Sequence, residues 1–426
     1  MSIETGPALD IEASESDPGR VGARADAQPT APLSRAVTLL CALACGLAVA
    51  NIYFAQPLLD EIAGRFAIDH ALVGLVVTAT QAGYGVGLLL VVPLGDLLPR
   101  RRLIVAQSVG SALALLAVGI APNVPLLFAA MAAIGLLAVV TQVLVAYSAT
   151  LAAPAQRGHV VGIVTSGIVI GILLARTVSG ALSDLAGWHA VYFVSAGCTL
   201  IVALLLHRAL PAADLARAAT PYPRLIASVF TLFATEPVLR IRALISLLMF
   251  AAAMVLWTPM VLPLSAPPHS LSHTAVGLFG LAGAAGALGA ARAGGWSDRG
   301  RERYVTGAGL TLMLASWLPI HWIGHSLWPL VIGVVAFDLG LQATHVASQS
   351  MLYGVLPPGV HSRVTAGYMI FYSIGCALGS FGSTLAYAWD GWRGVCALGA
   401  SISALALLAW ALTVTHTPRR WTTDGT

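Results

Sequence analysis

Long runs of apolar residues, separated by short polar segments, extend along most of this chain. A run of roughly 20 residues is long enough to cross the hydrocarbon core of a bilayer as a helix. The runs fall at approximately 36–57, 71–94, 103–122, 124–147, 160–182, 188–207, 242–264, 274–293, 304–323, 327–350, 364–388 and 393–415. Backbone amides inside a bilayer must be hydrogen-bonded internally, and unbroken apolar runs of this length favour helices over barrel strands. The pattern predicts an all-α membrane protein with about twelve transmembrane helices.

The composition supports this prediction and excludes several classes of protein. Of the 426 residues, 58% are hydrophobic and 9% are charged, whereas an average soluble domain has about 25% charged residues. The net charge of +4 is too small to indicate a nucleic-acid partner, and membrane lipids are the expected surroundings. The chain has no lysine, so it cannot contain the GxxxxGK[ST] loop that binds nucleotides. Neither a metal motif nor a disulfide framework is indicated by the cysteines and histidines.

The sequence also repeats itself at about half of its length. Asp96 and Asp298 occupy similar positions in two polar hairpins, and the pair Gly187-Trp188 is matched by Gly391-Trp392. Two related halves in parallel are a recurrent plan for transporters, with the binding site between them. The repeat therefore predicts two pseudo-symmetric six-helix bundles. The predicted segments are a disordered cytoplasmic tail at 1–34, an N-terminal bundle at 35–207, a cytoplasmic linker at 208–241, a C-terminal bundle at 242–415 and a cytoplasmic tail at 416–426.

The arginines predict the orientation of the chain. The tail, the connections after even-numbered runs, the linker and the C-terminus hold 19 of the 22 arginines. Arg65 and Arg393 lie in connections after odd-numbered runs, and Arg176 lies inside a run. Basic residues concentrate on the cytoplasmic side of membrane proteins. We therefore expect both termini in the cytoplasm and the helices in the cell's inner (plasma) membrane.

The two hairpins, GDLLPRRR at 95–102 and GGWSDRGRER at 294–303, resemble the loop signature of the major facilitator superfamily. The segments NIYFAQPLL at 51–59, PLGD at 93–96 and GILLARTVSG at 171–180 are similar to a bacterial efflux subgroup of that family. The resemblance implies a monomer without a cofactor that exports a small organic molecule by alternating access, with the proton gradient as its energy source. One departure is Ile172, which occupies a position where drug–proton antiporters of the superfamily commonly have proline.

The hairpin residues are predicted to form a latch between the halves. A carboxylate at the end of the second run would face the positive N-terminus of the eleventh helix, and the arginines would hold it in place. The alternative is an ordinary basic loop on the cytoplasmic side. The predicted latch residues are Asp96, Arg100, Arg101, Asp298, Arg299 and Arg301.

Charged and titratable residues inside the runs are candidates for proton or ion coupling. Asp338 is a carboxylate near the middle of the tenth run, and Gln342, His345 and Gln349 follow on the same side of a helix. Ionisable residues at this depth usually line a wet pathway. Arg176 is a cation in the fifth run that could pair with Asp338 or receive an anionic substrate. The alternatives are a structural carboxylate for Asp338, a neutral histidine bonded to a carbonyl for His345, and a structural ion pair or snorkelling for Arg176.

Uncharged polar residues in several runs are predicted to line a substrate cavity, because equivalent spans of each half face the central pocket in the superfamily. Each of them could instead join neighbouring helices. The predicted cavity residues are Asn51, Tyr53, Gln56, Gln81, Tyr84, Thr141, Gln142, Gln342 and Gln349. Proton-coupled or facilitated uptake of a metabolite or sugar is the alternative to efflux. A membrane-embedded enzyme or a receptor that binds without transport is a further alternative, although no catalytic motif is present.

Overall fold

The structure is a computed structural model that describes residues 34–153, 156–211, 221–289, 297–324, 326–356 and 361–413. The predicted tails therefore fall almost wholly outside the described residues. Helices and short connections make up the described part of the chain, with no strand in it. Among the described helices, eight are long and apolar enough to cross a membrane. The prediction of an all-α membrane protein is confirmed.

The N-terminal half contains six spans, two of which are interrupted. The first consists of α1 and the short α2, and the fourth consists of α5 and α6. Its helices are α1 Arg35–Tyr53, α2 Leu59–Phe66, α3 Leu75–Leu90, α4 Arg100–Gly119, α5 Val124–Ala138, α6 Val140–Leu151, α7 Arg157–Ala186 and α8 Trp188–Ala209. Polar caps begin some of them: Oγ of Ser34 accepts a hydrogen bond from the backbone N–H of Val37 at 3.3 Å.

A further helix, α9, lies in the linker, and six spans follow it. The helices are α9 Tyr222–Thr235, α10 Pro237–Trp257, α11 Val261–Ser265, α12 His273–Gly289, α13 Glu302–His321, α14 Leu327–Val355 and α15 His361–Thr413. Helix α10 begins at Pro237, ahead of the boundary expected at 242, because proline suits the first turn of a helix. Helix α15 contains two spans, since its backbone leaves the helical region at Asp390 and Gly391.

The repeated glycine–tryptophan pair forms equivalent tight turns in the two halves. Gly187 has φ of 78° between α7 and α8, and Gly391 has φ of 56° between the two spans of α15. Glycine adopts this left-handed region without a side-chain clash. The following Trp188 and Trp392 are 5% and 9% exposed, so both rings pack inside their own half. The sequence repeat thus has a structural basis.

Close helix packing in the N-terminal half depends on small residues. A Cβ atom on Gly167 would lie 2.1 Å from the carbonyl oxygen of Ala42, and one on Gly171 would lie 2.2 Å from that of Gly46. The four-residue spacing in α7 therefore lets its backbone touch the backbone of α1. Gly167 and Gly171 therefore allow close packing within the N-terminal half, although Ile172 occupies the position where drug–proton antiporters commonly have proline.

The two halves meet through α7 against α12 and through α3 against α15. We call the end of the bundles near α9 the linker end, and the opposite end, at the turns of Gly187 and Gly391, the far end. Near the far end, a Cβ atom on Gly180 would lie 2.1 Å from the carbonyl oxygen of His273. On the other side of the molecule, Oγ1 of Thr78 donates to the carbonyl of Ala377 at 3.0 Å. The far end is closed by these contacts.

Candidate functional site

Arg176 of the N-terminal half lies against two aromatic rings at the boundary between the halves. Its guanidinium carbon is 4.0 Å from the ring centre of Trp257 and 5.3 Å from that of Tyr53. Its Nε donates to the side-chain oxygen of Gln56 at 2.8 Å. Arg176 is only 7% exposed. The cation is therefore held by an amide oxygen and by the electron-rich faces of aromatic rings, one from each half.

Asp338 of the C-terminal half contacts the same tryptophan from another direction. The indole Nε1 of Trp257 donates to Oδ1 of Asp338 at 3.4 Å, and Asp338 is 9% exposed. Within the described residues, Arg176 and Asp338 do not form an ion pair with N–O distances of 4.0 Å or less. Trp257 bridges the two charged groups, with its ring face toward the cation and its N–H toward the anion.

Space beside Asp338 is provided by a glycine of α12. A Cβ atom on Gly283 would lie 2.1 Å from Oδ2 of Asp338 and 2.9 Å from the indole of Trp257. Any larger residue at this position would displace the carboxylate or the ring. The arrangement of Asp338 and Trp257 thus depends on the missing side chain at Gly283.

An aromatic cluster continues from Arg176 across the boundary between the halves. The hydroxyl groups of Tyr53 and Tyr372 are 2.7 Å apart. The ring of Tyr372 packs against Phe250 with centres 4.3 Å apart and against Tyr84 with centres 6.4 Å apart, both edge-on. Because Tyr53 and Tyr84 belong to the N-terminal half and the other two to the C-terminal half, this cluster joins the halves at mid-depth.

His345 lies farther along α14, in a hydrogen-bonded group within the C-terminal half. Its Nδ1 is 3.0 Å from the hydroxyl of Tyr368, and Nε2 of Gln349 is 3.2 Å from its Nε2. Because the amide nitrogen of Gln349 donates, Nε2 of His345 accepts and Nδ1 carries the proton in the neutral ring. His345 also meets the edge of Phe250 at 5.3 Å. The predicted polar side of α14 therefore reaches the aromatic cluster through Phe250.

The other predicted cavity residues fall into different surroundings. Asn51 accepts a hydrogen bond from Ser195 at 2.5 Å inside the N-terminal half. Thr141 donates to the carbonyl of Ala138 in the preceding turn. These contacts tie helices and turns of one half together, which is the alternative use of polar groups in a span.

The remaining three predicted cavity residues, on α3, α6 and α14, differ in burial and in their contacts. Gln81 is fully buried and its backbone carbonyl accepts from Ser373 of α15, yet neither amide atom of its side chain has a hydrogen-bond partner among the described residues. Gln142 donates to the hydroxyl of Tyr84 at 3.3 Å. Gln342 is half-buried on α14.

A second polar contact joins the halves at the far end. His273, the first residue of α12, places Nε2 3.0 Å from Oδ1 of Asp60, and Nδ1 3.2 Å from both Oε1 of Glu61 and Oδ1 of Asp184. Asp184 also accepts from the backbone N–H groups of His273 and Thr274, at 3.1 and 2.8 Å. A carboxylate of α7 thus caps α12 across the boundary.

His273 precedes the apolar part of α12 and is a charged member of this cluster. Its hydrogen bond with Asp60, reinforced by the charges of Asp60 and Glu61 and by Asp184, raises its pKa to about 9 against the opposing effect of burial. Both ring nitrogens of an imidazolium can donate, which matches carboxylates on both sides of the ring. We call His273, Asp60, Glu61 and Asp184 the far-end cluster.

The predicted latch residues lie at the linker end. Arg100 donates to the carbonyl of Gly95 at 3.0 Å and to Oγ1 of Thr150 at 3.4 Å, and Arg101 donates to the carbonyl of His207. Arg299 and Arg301 are exposed. The side chains of Asp96 and Asp298 lie outside the described residues, so the latch stays a prediction.

Sequence reasoning missed several residues of the two contact regions. Trp257 lies in an apolar run, and nothing in the sequence of such a run indicates that an aromatic residue contacts two charged groups. The far-end cluster had a weak signal, because Asp60, Glu61 and Asp184 follow odd-numbered runs where arginines are scarce. His273 carries no signal of its own in the sequence. His269, four residues earlier, makes a different contact, since its Nε2 lies 3.0 Å from the carbonyl of Ile323.

The comparison with family models decides the family. The model described as Major Facilitator Superfamily matches residues 38–299 and 266–426. The chain belongs to the major facilitator superfamily. It is 46% identical over 384 residues to the uncharacterized transporter YgaY of Escherichia coli O157:H7, covering 90% of this chain and 97% of that protein. It is 30% identical over 393 residues to the protein named "Probable transporter SCO4007" of Streptomyces coelicolor, covering 92% of this chain and 90% of that protein.

The fold of this superfamily member is also similar to that of solved transporters. A bacterial homologue of the human lysosomal transporter Spinster, in an inward-facing and occupied conformation, has a TM-score of 0.79 at 16% identity, with 92% of this chain and 100% of that chain covered. A nucleoside transporter, NupG, has a TM-score of 0.70 at 14% identity. The predicted fold of two six-helix bundles is confirmed, and the chain is a multi-pass membrane protein.

Proposed function

We propose that this transporter is proton-coupled and moves a small organic molecule across the bacterial inner membrane by alternating access. The observation that carries the proposal is the bridge formed by Trp257 between Arg176 of one half and Asp338 of the other. Rocking of one half against the other would change the surroundings of both charges at once. A buried carboxylate that gains or loses a proton during that motion would couple transport to the proton gradient.

The state of the far end supports alternating access. With the termini in the cytoplasm, as the arginines indicate, the closed far end is the periplasmic one. In the opposite state, the contacts of Thr78 with Ala377, of Tyr53 with Tyr372 and of the far-end cluster would have to break. Transport by this mechanism requires that these contacts be weak enough to break in each cycle.

The direction of transport has two candidates. Similarity to the efflux subgroup favours export in exchange for protons. Proton-coupled uptake is favoured by the opposite signs of Arg176 and Asp338, because a proton on Asp338 and an anion near Arg176 would neutralise the site together. Binding of both in one state is the basis of co-transport in the same direction.

Reconstituted vesicles test the proposal and separate the two directions. The purified transporter would be placed in sealed proteoliposomes with a pH-sensitive dye inside, and candidate substrates would be added outside. Proton movement into the vesicles on substrate addition indicates uptake with protons, whereas exit of internal substrate on external acidification indicates exchange. Substrate flux that does not respond to an imposed pH gradient would contradict proton coupling.

A further inference from the structure

We propose that Arg176 binds the carboxylate group of a small aromatic acid, which makes the substrate class an aromatic carboxylate. The inference rests on the proposed function, since it names the molecule that the site between the halves would carry.

The guanidinium of Arg176 has free hydrogen-bonding capacity in a buried position. Among the described residues, only its Nε has a hydrogen bond, to Gln56, and it has no carboxylate within ion-pair distance. A buried cation that no carboxylate contacts directly is costly, and the planar fork of a guanidinium matches the two oxygens of a carboxylate. The two terminal nitrogens of Arg176 are therefore suited to bind an anionic group of a ligand.

The space next to Arg176 is small while the far end is closed. A cavity of about 10 Å³, which is about the smallest that can hold one water molecule, is lined by Gln56, Pro57, Arg176, Trp257, Met260, Val261 and Val276. A substrate carboxylate would replace water at this point when the halves separate. The walls other than Arg176 and Gln56 are apolar or aromatic, so a single anionic group fits the site better than a polyanion.

The rest of the site is suited to an aromatic body. Trp257 and Tyr53 flank the guanidinium, and Tyr372, Phe250 and Tyr84 follow in edge-on contacts. Because Tyr53 and Tyr372 touch across the boundary, separation of the halves would leave ring faces on both walls. An aromatic ring inserted there would regain the ring contacts that the separation breaks. A sugar would leave these faces poorly packed.

The position of Asp338 links acid binding to protonation. Its carboxylate hydrogen-bonds the far edge of the same indole that stacks on Arg176. An ionised Asp338 offsets the charge of Arg176 and repels an anion, whereas a protonated Asp338 leaves Arg176 uncompensated. The acid should therefore bind more tightly when Asp338 carries a proton, and Asp338→Asn should mimic that state.

Binding in detergent tests the substrate class without any need for transport. Calorimetric titration of the full chain would compare 3-phenylpropionate with its neutral amide and with 2-phenylethylamine. We expect the acid to bind at least tenfold more tightly than the amide or the amine. Arg176→Gln should weaken acid binding at least tenfold, Arg176→Lys should weaken it less, and Asp338→Asn should tighten it several-fold. Arg65→Gln, at the far end, is the matched control and should bind as the parent does.

Several results would overturn the inference. Equal binding of acid and amide, or preference for the amine, would contradict it. So would the absence of binding of 3-phenylpropionate or benzoate at millimolar concentration. An Arg176→Gln variant that is monodisperse and binds the acid normally would also contradict it. If Arg176→Gln fails to fold, the comparison of Arg176→Lys with Asp338→Asn decides, because their effects must have opposite signs. Acid binding without flux in proteoliposomes would contradict the proposed transport and leave the inference intact. Flux of other compounds without acid binding would contradict the inference and leave the proposed transport intact.

Discussion

His273 and Asp60 join the two halves of this transporter at the far end, where Nε2 of the imidazole lies 3.0 Å from the carboxylate oxygen. The pKa of His273 is raised to about 9, chiefly by this hydrogen bond. A raised pKa means that the contact contributes fully below the ordinary value near 6.5 and is lost as the pH rises through about 9. Acid on the far side should thus favour closure of the far end, and alkali should favour its opening.

The first prediction concerns this pH dependence. Thr177, which donates to the carbonyl of Gly277 across the boundary, can be replaced by cysteine in a Cys198→Ser background, because Cys198 is the exposed cysteine of the described chain. Labelling of this cysteine by a membrane-impermeant maleimide, corrected for the reactivity of a free thiol at each pH, should rise between pH 6 and pH 10. In His273→Gln the labelling should be high at every pH. At pH 6 it should exceed that of the parent about tenfold, since a charged hydrogen bond contributes about 1.5–3 kcal/mol.

His269→Gln is the matched control for that experiment, because His269 contacts Ile323 within its own half. Its labelling should follow the parent at each pH. A flat profile in the parent, or equal effects of the two histidine variants, would show that the far-end cluster does not control closure.

The second prediction concerns Asp338. Replacement by Asn keeps the shape of the side chain but removes the exchangeable proton, so pH-driven transport in proteoliposomes should be lost while insertion and folding are kept. Asp390→Asn removes an exposed carboxylate at the break of α15 and should transport normally. Continued pH-driven flux in Asp338→Asn would place the coupling group elsewhere.

The third prediction concerns the hydroxyl pair of Tyr53 and Tyr372. Tyr372→Phe removes a hydrogen bond between the halves that contributes about 1 kcal/mol, so the cysteine introduced at position 177 should be labelled about fivefold faster. Tyr84→Phe removes a bond to Gln142 within one half and should leave the labelling rate near that of the parent. If the two variants behave alike, the contact between Tyr53 and Tyr372 has no specific part in closure.

The fourth prediction concerns backbone contact between α7 and α12. A Cβ atom on Gly180 would lie 2.1 Å from the carbonyl of His273, so Gly180→Ala should prevent closure of the far end and reduce transport by more than tenfold. Gly162→Ala changes the same helix where no described atom lies within 4 Å of the new Cβ. That control should express and transport as the parent does; normal transport by Gly180→Ala would mean that the helices adjust freely.

The sequence predicted the architecture well because length and apolarity alone determine which segments can cross a bilayer. Asp338 and Arg176 could be selected as candidates for the same reason, since charges are rare at membrane depth. Their contact through Trp257 could not be predicted, because it depends on how α7, α10 and α14 are placed in three dimensions. Asn51 and Thr141 show the converse: they are polar residues in the right spans, but their side chains face partners within one half.

The tryptophan bridge also bears on leakage. In the closed state, Arg176 is shielded by rings from both halves, and opening the far end would strip one of those rings from the cation. In a transporter without substrate, water would then have to hydrate the guanidinium of Arg176 before the protein could change state, which slows cycling without substrate. A substrate that replaces the lost shielding removes that barrier. The same ring that stabilises the protein with its far end closed would therefore also limit cycling without substrate, and with it the loss of the proton gradient.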